Sequence, residues 1–243
     1  MRHNPITRPE ARVLADEEFV RFADLVVSLT PDEWARATDC RGWDVRKVAL
    51  HVLGSADAQA SVIEFAHQLR RGLPLNKQID SHHWVDGLNE LQIRERSHLS
   101  NDELVAQLRA VGPKAVKGRW RTPPPARNLP LPFGPPIGWA PLKYLLDVGF
   151  TRDVWAHRID IHIAIDRPMN LTADHDGRLV ADIVAEWATI HGQPFDLVLD
   201  GPAGGHFSQG VDGERVEIDA VDFVRTLSGR LPGTGVLSNP LPL

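Results

Sequence analysis

Apolar positions recur at helical spacing through the first two-thirds of the chain. Val13, Leu14, Phe19, Phe22, Leu25, Val26 and Leu29 predict a first helix over about residues 10–29. The segment LTPDEW interrupts the pattern, with Pro31 suited to a first helical turn. A second helix is expected across GWDVRKVALHVLGSADAQASVIEFAHQLRRG, capped by Asp44 and stopped by Gly72. A third helical region covers about 83–118. It divides near LSNDEL, where Ser100 and Glu103 form a capping-box pattern, and Pro113 predicts a kink or break beyond it. Residues 122–138 hold seven prolines, which excludes helix and central strand there. So long a loop within a compact domain is functional or a linker. A fourth helix is expected over about 140–165.

The texture changes after DRPMNL. Residues 173–191 read as helix, PFDLVLDG and ERVEID as strands, and AVDFVRTLSG as a short helix, with Gly-rich turns between the strands. The expected fold is α+β: a four-helix domain over residues 1–168, then a small α/β domain over 169–243.

Composition narrows the class. With 42% hydrophobic and 24% charged residues the chain can pack a core, and its net charge of −5 offers no basic field for nucleic acid or anionic lipid. No apolar run reaches the roughly 20 residues of a membrane span, and the N-terminus lacks a signal-peptide centre. Cys40 is the one cysteine, so no intramolecular disulfide forms. A cytoplasmic protein is expected, and nothing demands more than a monomer.

The polar residues of TRDVWAHRIDIH need a reason, because the rest of that helix is apolar. Asp153, His157 and Asp160 share one face, at positions i, i+4 and i+7. They form either a buried hydrogen-bonded pair that fixes packing or two metal ligands with Asp160 as an acceptor behind them. His51 lies beside the stripe of Val48, Val52 and Ser55, and a buried imidazole left unpaired costs about 1–3 kcal/mol. With His51, Asp153 and His157 would make a three-ligand set with open positions, the pattern of a catalytic metal site. The adjacent His82 and His83 cannot share a helical face. His67, His98, His175, His191 and His206 lack co-facial partners and read as ordinary, and His3 falls in a frayed end. Cys40, before a helix start, reads as a packed small hydrophobe rather than a nucleophile. No Walker or G-x-S-x-G motif occurs.

LTPDEWARATDCRGWDVRKVALHVLGS, through Trp34, Thr38, Cys40, Gly42–Trp43 and His51, resembles the opening of the mycothiol-dependent maleylpyruvate isomerase family. FTRDVWAHRIDIHIAIDRP resembles that family's last bundle helix, and EIDAVDFVRTLSGRLPGTGVL its C-terminal domain. The resemblance implies a DinB-like four-helix bundle followed by a sterol-carrier-protein-like domain. It also implies a divalent metal, usually zinc, held by His51, Asp153 and His157, with Asp153 standing where the isomerase has glutamate. The metal would activate the thiol of a small cofactor, mycothiol in actinobacteria, toward a small electrophilic substrate. An arginine of the C-terminal domain also matters in the isomerase; Arg230 is the expected equivalent, with Arg225 close by. Isomerisation and thiol S-transfer both stay open. A zinc hydrolase and a non-catalytic metal- or ligand-binding protein remain as alternatives.

Overall fold

The computed structural model describes residues 5–81 and 83–242, so His3 and His82 lie outside the described residues. It has two compact units: a helical unit of residues 9–129 and 141–167, and a second unit of 1–8, 130–140 and 168–243. No helix among the described residues is long and apolar enough to cross a membrane.

The helical unit opens with α1 (Arg8–Val27), whose buried face includes Leu14, Phe19, Phe22 and Val26. Helix α2 (Val45–Ala60) starts where expected, because the Asp44 carboxylate accepts from the Lys47 N–H at 2.8 Å. The long helix expected from there to Gly72 is instead two. Ser61 is extended and its hydroxyl caps a fresh helix, α3 (Val62–Gly72), by accepting from the Glu64 N–H. Helix α4 (Asp86–Arg96) precedes α5 (Asn101–Arg121), which begins with the full Ser100/Glu103 capping box. Pro113 does not break α5, which continues through it to Arg121.

The proline-rich stretch is not a featureless loop. It holds a single helical turn, α6 (Pro124–Arg127), and the first strand of a two-stranded ribbon, β1 (Pro130–Gly134) with β2 (Gly138–Pro141). Prolines are tolerated in a two-stranded ribbon because each strand has an edge that needs no ladder donor. The last bundle helix then begins as α7 (Leu142–Tyr144), passes through a π-turn at Leu145–Gly149 and continues as α8 (Phe150–Ala164).

The helical core joins α1, α2, α5 and α8 through side chains such as Phe22, Val48, Val52, Leu104 and Val154. Close helix approach depends on particular glycines. A Cβ on Gly54 would lie 2.5 Å from Cβ of Gln92, so glycine there lets α4 settle against α2. Gly54→Ala is expected to destabilise the fold by about 1–3 kcal/mol through overpacking. Denaturant unfolding checks this, and an unchanged midpoint would refute it.

In the second unit, a π-turn at Ala173–Gly177 leads into α9 (Arg178–His191), closed by a left-handed Gly192. Strand β3 (Phe195–Asp200) is central: β4 (Gly205–Gln209) pairs with it antiparallel and β5 (Glu214–Asp219) parallel. Helix α10 (Ala220–Leu227) follows, capped by Asp219. Trp187 anchors this core, its ring 5.1 Å from that of Phe195 and 5.4 Å from that of Phe223. The α+β class is what the sequence predicts.

Candidate metal centre

Residues 36–45 form a tight loop that brings two side chains to the face of α2. The Thr38 N–H donates to the Trp43 carbonyl and the Val45 N–H to the Arg36 carbonyl, while a turn from Cys40 to Trp43 closes the tip. Gly42 sits at φ +79°, left-handed backbone that favours glycine. Trp43 thereby lies against both imidazoles, its ring centroid 5.2 Å from that of His51 and 6.0 Å from that of His157.

The helical unit brings His51, Asp153 and His157 together. His51 Nε2 lies 3.4 Å from Asp153 Oδ2, and His157 Nε2 lies 3.6 Å from Asp153 Oδ1. One donor atom from each residue falls within 4.8 Å of the other two. Both histidines are buried, whereas the Asp153 side chain keeps 29% of its exposure and marks the open side.

The remaining ring nitrogens are held from behind. His51 Nδ1 is 2.7 Å from Gln92 Oε1, and the Gln92 amide group in turn donates to Gln68 Oε1 at 2.7 Å. Gln68 donates onward to the Gly54 carbonyl at 2.8 Å. That chain leaves Gln92 Oε1 as an acceptor, so His51 carries its proton on Nδ1 and offers the Nε2 lone pair. His157 Nδ1 faces Asp160 Oδ2 at 3.0 Å, with Asp160 fully buried. Such partners fix ring orientation and raise ligand basicity.

Cys40 is part of the same arrangement, which its reading as a packed hydrophobe does not capture. Its thiol donates to Asp160 Oδ2 at 3.2 Å and lies 3.8 Å from His157 Nδ1. Gln92 also went unread: it stands on the apolar stripe of Leu88 and Leu91, the one local sign that a buried partner awaits it. Among the other histidines, His67 pairs with Glu95 at 2.9 Å, and His206 pairs with Asp196, each across separate elements.

Burial alone would push the His157 imidazole down. The Asp160 hydrogen bond, with the Cys40 contact and the Asp153 charge, outweighs burial and holds it well above its ordinary value. In the metal-free protein its stabilising contribution is therefore complete below the unfolded value of 6.5 and is lost as pH rises through the higher folded value. A metal at Nε2 has to displace that proton. Metal binding should release about one proton from His157 and tighten as pH rises. Calorimetry in buffers of different ionisation enthalpy reads this directly, and affinity that stays flat between about pH 6 and 8 would contradict it. Asp160→Asn is expected to weaken metal binding by about 10–100-fold; competition with a chromophoric chelator measures this, and unchanged affinity would refute it.

Arg230 lies in the second unit, just past α10, where its N–H donates to the Arg225 carbonyl at 2.8 Å. Arg225 pairs with Asp222 at 3.0 Å.

The fold is similar to that of two solved structures. One is the crystal structure of the mycothiol-dependent maleylpyruvate isomerase, at 17% identity and a TM-score of 0.59, over 94% of this chain and 93% of that one. The other is a histidine-to-alanine mutant of the mycothiol-dependent maleylpyruvate isomerase, at 16% identity and a TM-score of 0.59, with the same coverage. At such identity the likeness establishes the fold alone. No curated protein sequence matches the chain. Residues 15–162, more than half of the chain and the stretch that carries His51, Asp153 and His157, match the mycothiol maleylpyruvate isomerase N-terminal domain, and the chain belongs to that family.

Proposed function

We propose that the protein is a metal-dependent enzyme that uses a small thiol, mycothiol or a close equivalent, to transform a small electrophilic substrate. The observation that carries this reading is the convergence of two imidazole Nε2 atoms and one carboxylate while both Nδ1 atoms are engaged from behind. Residues arranged in this way fit a divalent ion such as zinc, which accepts imidazole nitrogen, carboxylate oxygen and thiolate sulfur and in catalytic sites keeps a position open. His51, Asp153 and His157 would hold it. The ion would supply Lewis acidity that lowers the pKa of a thiol bound beside it.

The protein groups have separable roles in that scheme. Gln92 and Asp160 orient the two rings, so that neither imidazole must reorganise when the site fills. Trp43 covers the two rings on one side and limits water there. Asp153, on the open side, contributes the negative charge that balances part of the metal's charge. The family supports a thiol-assisted isomerisation as the reaction class.

Thiol binding and turnover test this together. Zinc-loaded protein should bind mycothiol in calorimetry, and chelator-stripped protein should not. It should also isomerise maleylpyruvate, the substrate named for the structural relatives, only with thiol present. Equal thiol binding by loaded and stripped protein, or turnover that ignores thiol, would overturn the reading.

A further inference from the structure

The support behind His51 does not end at Gln92. His51 on α2, Gln92 on α4 and Gln68 on α3 are all buried and form a row. His51 Nδ1 meets Gln92 Oε1 at 2.7 Å, and Gln92 Nε2 donates to Gln68 Oε1 at 2.7 Å. Gln68 Nε2 then donates at 2.8 Å to the Gly54 carbonyl and at 2.8 Å to Glu64 Oε1. Glu64 is held in turn by Arg96, whose Nη2 donates to the same Oε1 at 3.0 Å and pairs with Asp57 Oδ2 at 2.9 Å.

Such a row has a direction, and its far end sets it. A side-chain amide presents an oxygen at one corner and an NH2 at the other, and a half-turn of its plane exchanges them. A backbone carbonyl and an ionised carboxylate can only accept. The Gly54 carbonyl and Glu64 therefore demand the NH2 of Gln68, which leaves its oxygen toward Gln92. Gln92 must then give its NH2 to Gln68 and its oxygen to His51, so the imidazole donates from Nδ1. A buried amide turned the other way would set oxygen against oxygen and lose hydrogen bonds that water cannot replace there. Burial works against the Glu64 charge, but the Gln68 hydrogen bond and Arg96 outweigh it and hold the carboxyl below its ordinary value, so it stays an acceptor at neutral pH.

The other side of the ring pulls the opposite way. Asp153 Oδ2 stands 3.4 Å from His51 Nε2, and a carboxylate there attracts the imidazole proton to the nitrogen that a metal needs. The relay counters that pull with a shorter contact in a drier place, since Gln92 and Gln68 are buried whereas the Asp153 side chain keeps 29% of its exposure. We infer that Gln68 is a positioning residue of the metal centre: through Gln92 it keeps the His51 proton on Nδ1 and the Nε2 lone pair free for the ion. This rests on the metal site proposed above.

Long-range nitrogen–proton correlation spectra of the metal-free protein read the tautomer of neutral His51, and chelator competition on the same samples reads zinc affinity. Wild type should carry the proton on Nδ1. Gln68→Met, which keeps the length and removes both polar ends, should shift a substantial fraction of His51 to the Nε2–H form and weaken zinc binding by about tenfold or more. Gln68→Glu should lose stability too, because it cannot donate to Gly54 or Glu64. It still accepts from Gln92, so it should retain the Nδ1–H tautomer. That split separates the direction of the relay from mere packing. An unchanged tautomer in Gln68→Met would overturn the inference, as would zinc affinity equal to wild type or a Gln68→Glu protein shifted as far as Gln68→Met. Should Gln68→Met not fold, metal-free wild type decides alone: a proton on Nδ1 supports the inference and one on Nε2 overturns it. Zinc-binding protein whose tautomer ignores Gln68 sinks this inference and leaves the metal-dependent reading standing. A Gln68-dependent tautomer in protein that takes no zinc supports the relay and sinks that reading instead.

Discussion

Asp153→Ala is expected to lower metal affinity by more than about a hundredfold and to abolish thiol-dependent turnover, with the helical unit still folded. Loss of a hydrogen-bond partner behind a ligand costs about 10–100-fold, so loss of a ligand should exceed that. Asp153 is also the one carboxylate of the set and the one that faces both Nε2 atoms. Its side chain is partly exposed, so little packing is lost with it. His51→Ala should lose metal equally, but it also leaves the buried Gln92 carbonyl without its imidazole, at about 1–3 kcal/mol. Chelator competition with thermal unfolding on the same samples separates the two effects. An Asp153→Ala protein that keeps wild-type metal affinity would show that the carboxylate is no ligand.

Glu18→Ala should have the largest effect on stability. Glu18 on α1 and Arg158 on α8 form a two-pronged pair, at 2.7 and 3.0 Å, with both side chains buried. Breaking such a pair by removal of one partner costs about 3–5 kcal/mol, because the other charge stays in a low-dielectric interior. In a protein of this size that corresponds to a fall of roughly 10 °C in Tm. Arg158 adjoins His157 in sequence, so the loss should reach the metal centre as well. The double replacement Glu18→Leu with Arg158→Met should recover most of the stability, since a packed apolar pair replaces the ionic one. Calorimetric unfolding measures both. A Glu18→Ala protein within about 1 °C of wild type would show that the pair contributes nothing.

Much of this architecture is legible in the sequence because helix faces and caps are local. The Asp44 cap, the Ser100/Glu103 box and the common face of Asp153, His157 and Asp160 all follow from spacing along one segment. The break at Ser61 is not legible in that way. Val62 and Ile63 continue an apolar run across it, yet both are 84% exposed, so apolar pattern and burial part company there. Val13 likewise counts toward the apolar face of α1 and is exposed.

The residues that complete the site depend on tertiary approach. Gln92 reaches His51 because glycine at 54 lets α4 come close, and no local pattern encodes that distance. Cys40 reaches Asp160 across 120 residues through a loop shaped by Gly42.

The metal content of the purified protein, measured after zinc is offered and the excess removed, tests the central claim most directly. About one ion per chain is expected in the wild type, and essentially none in His51→Ala. A folded wild-type protein that retains no metal would contradict the claim, and would leave His51, Asp153 and His157 as a packed polar cluster.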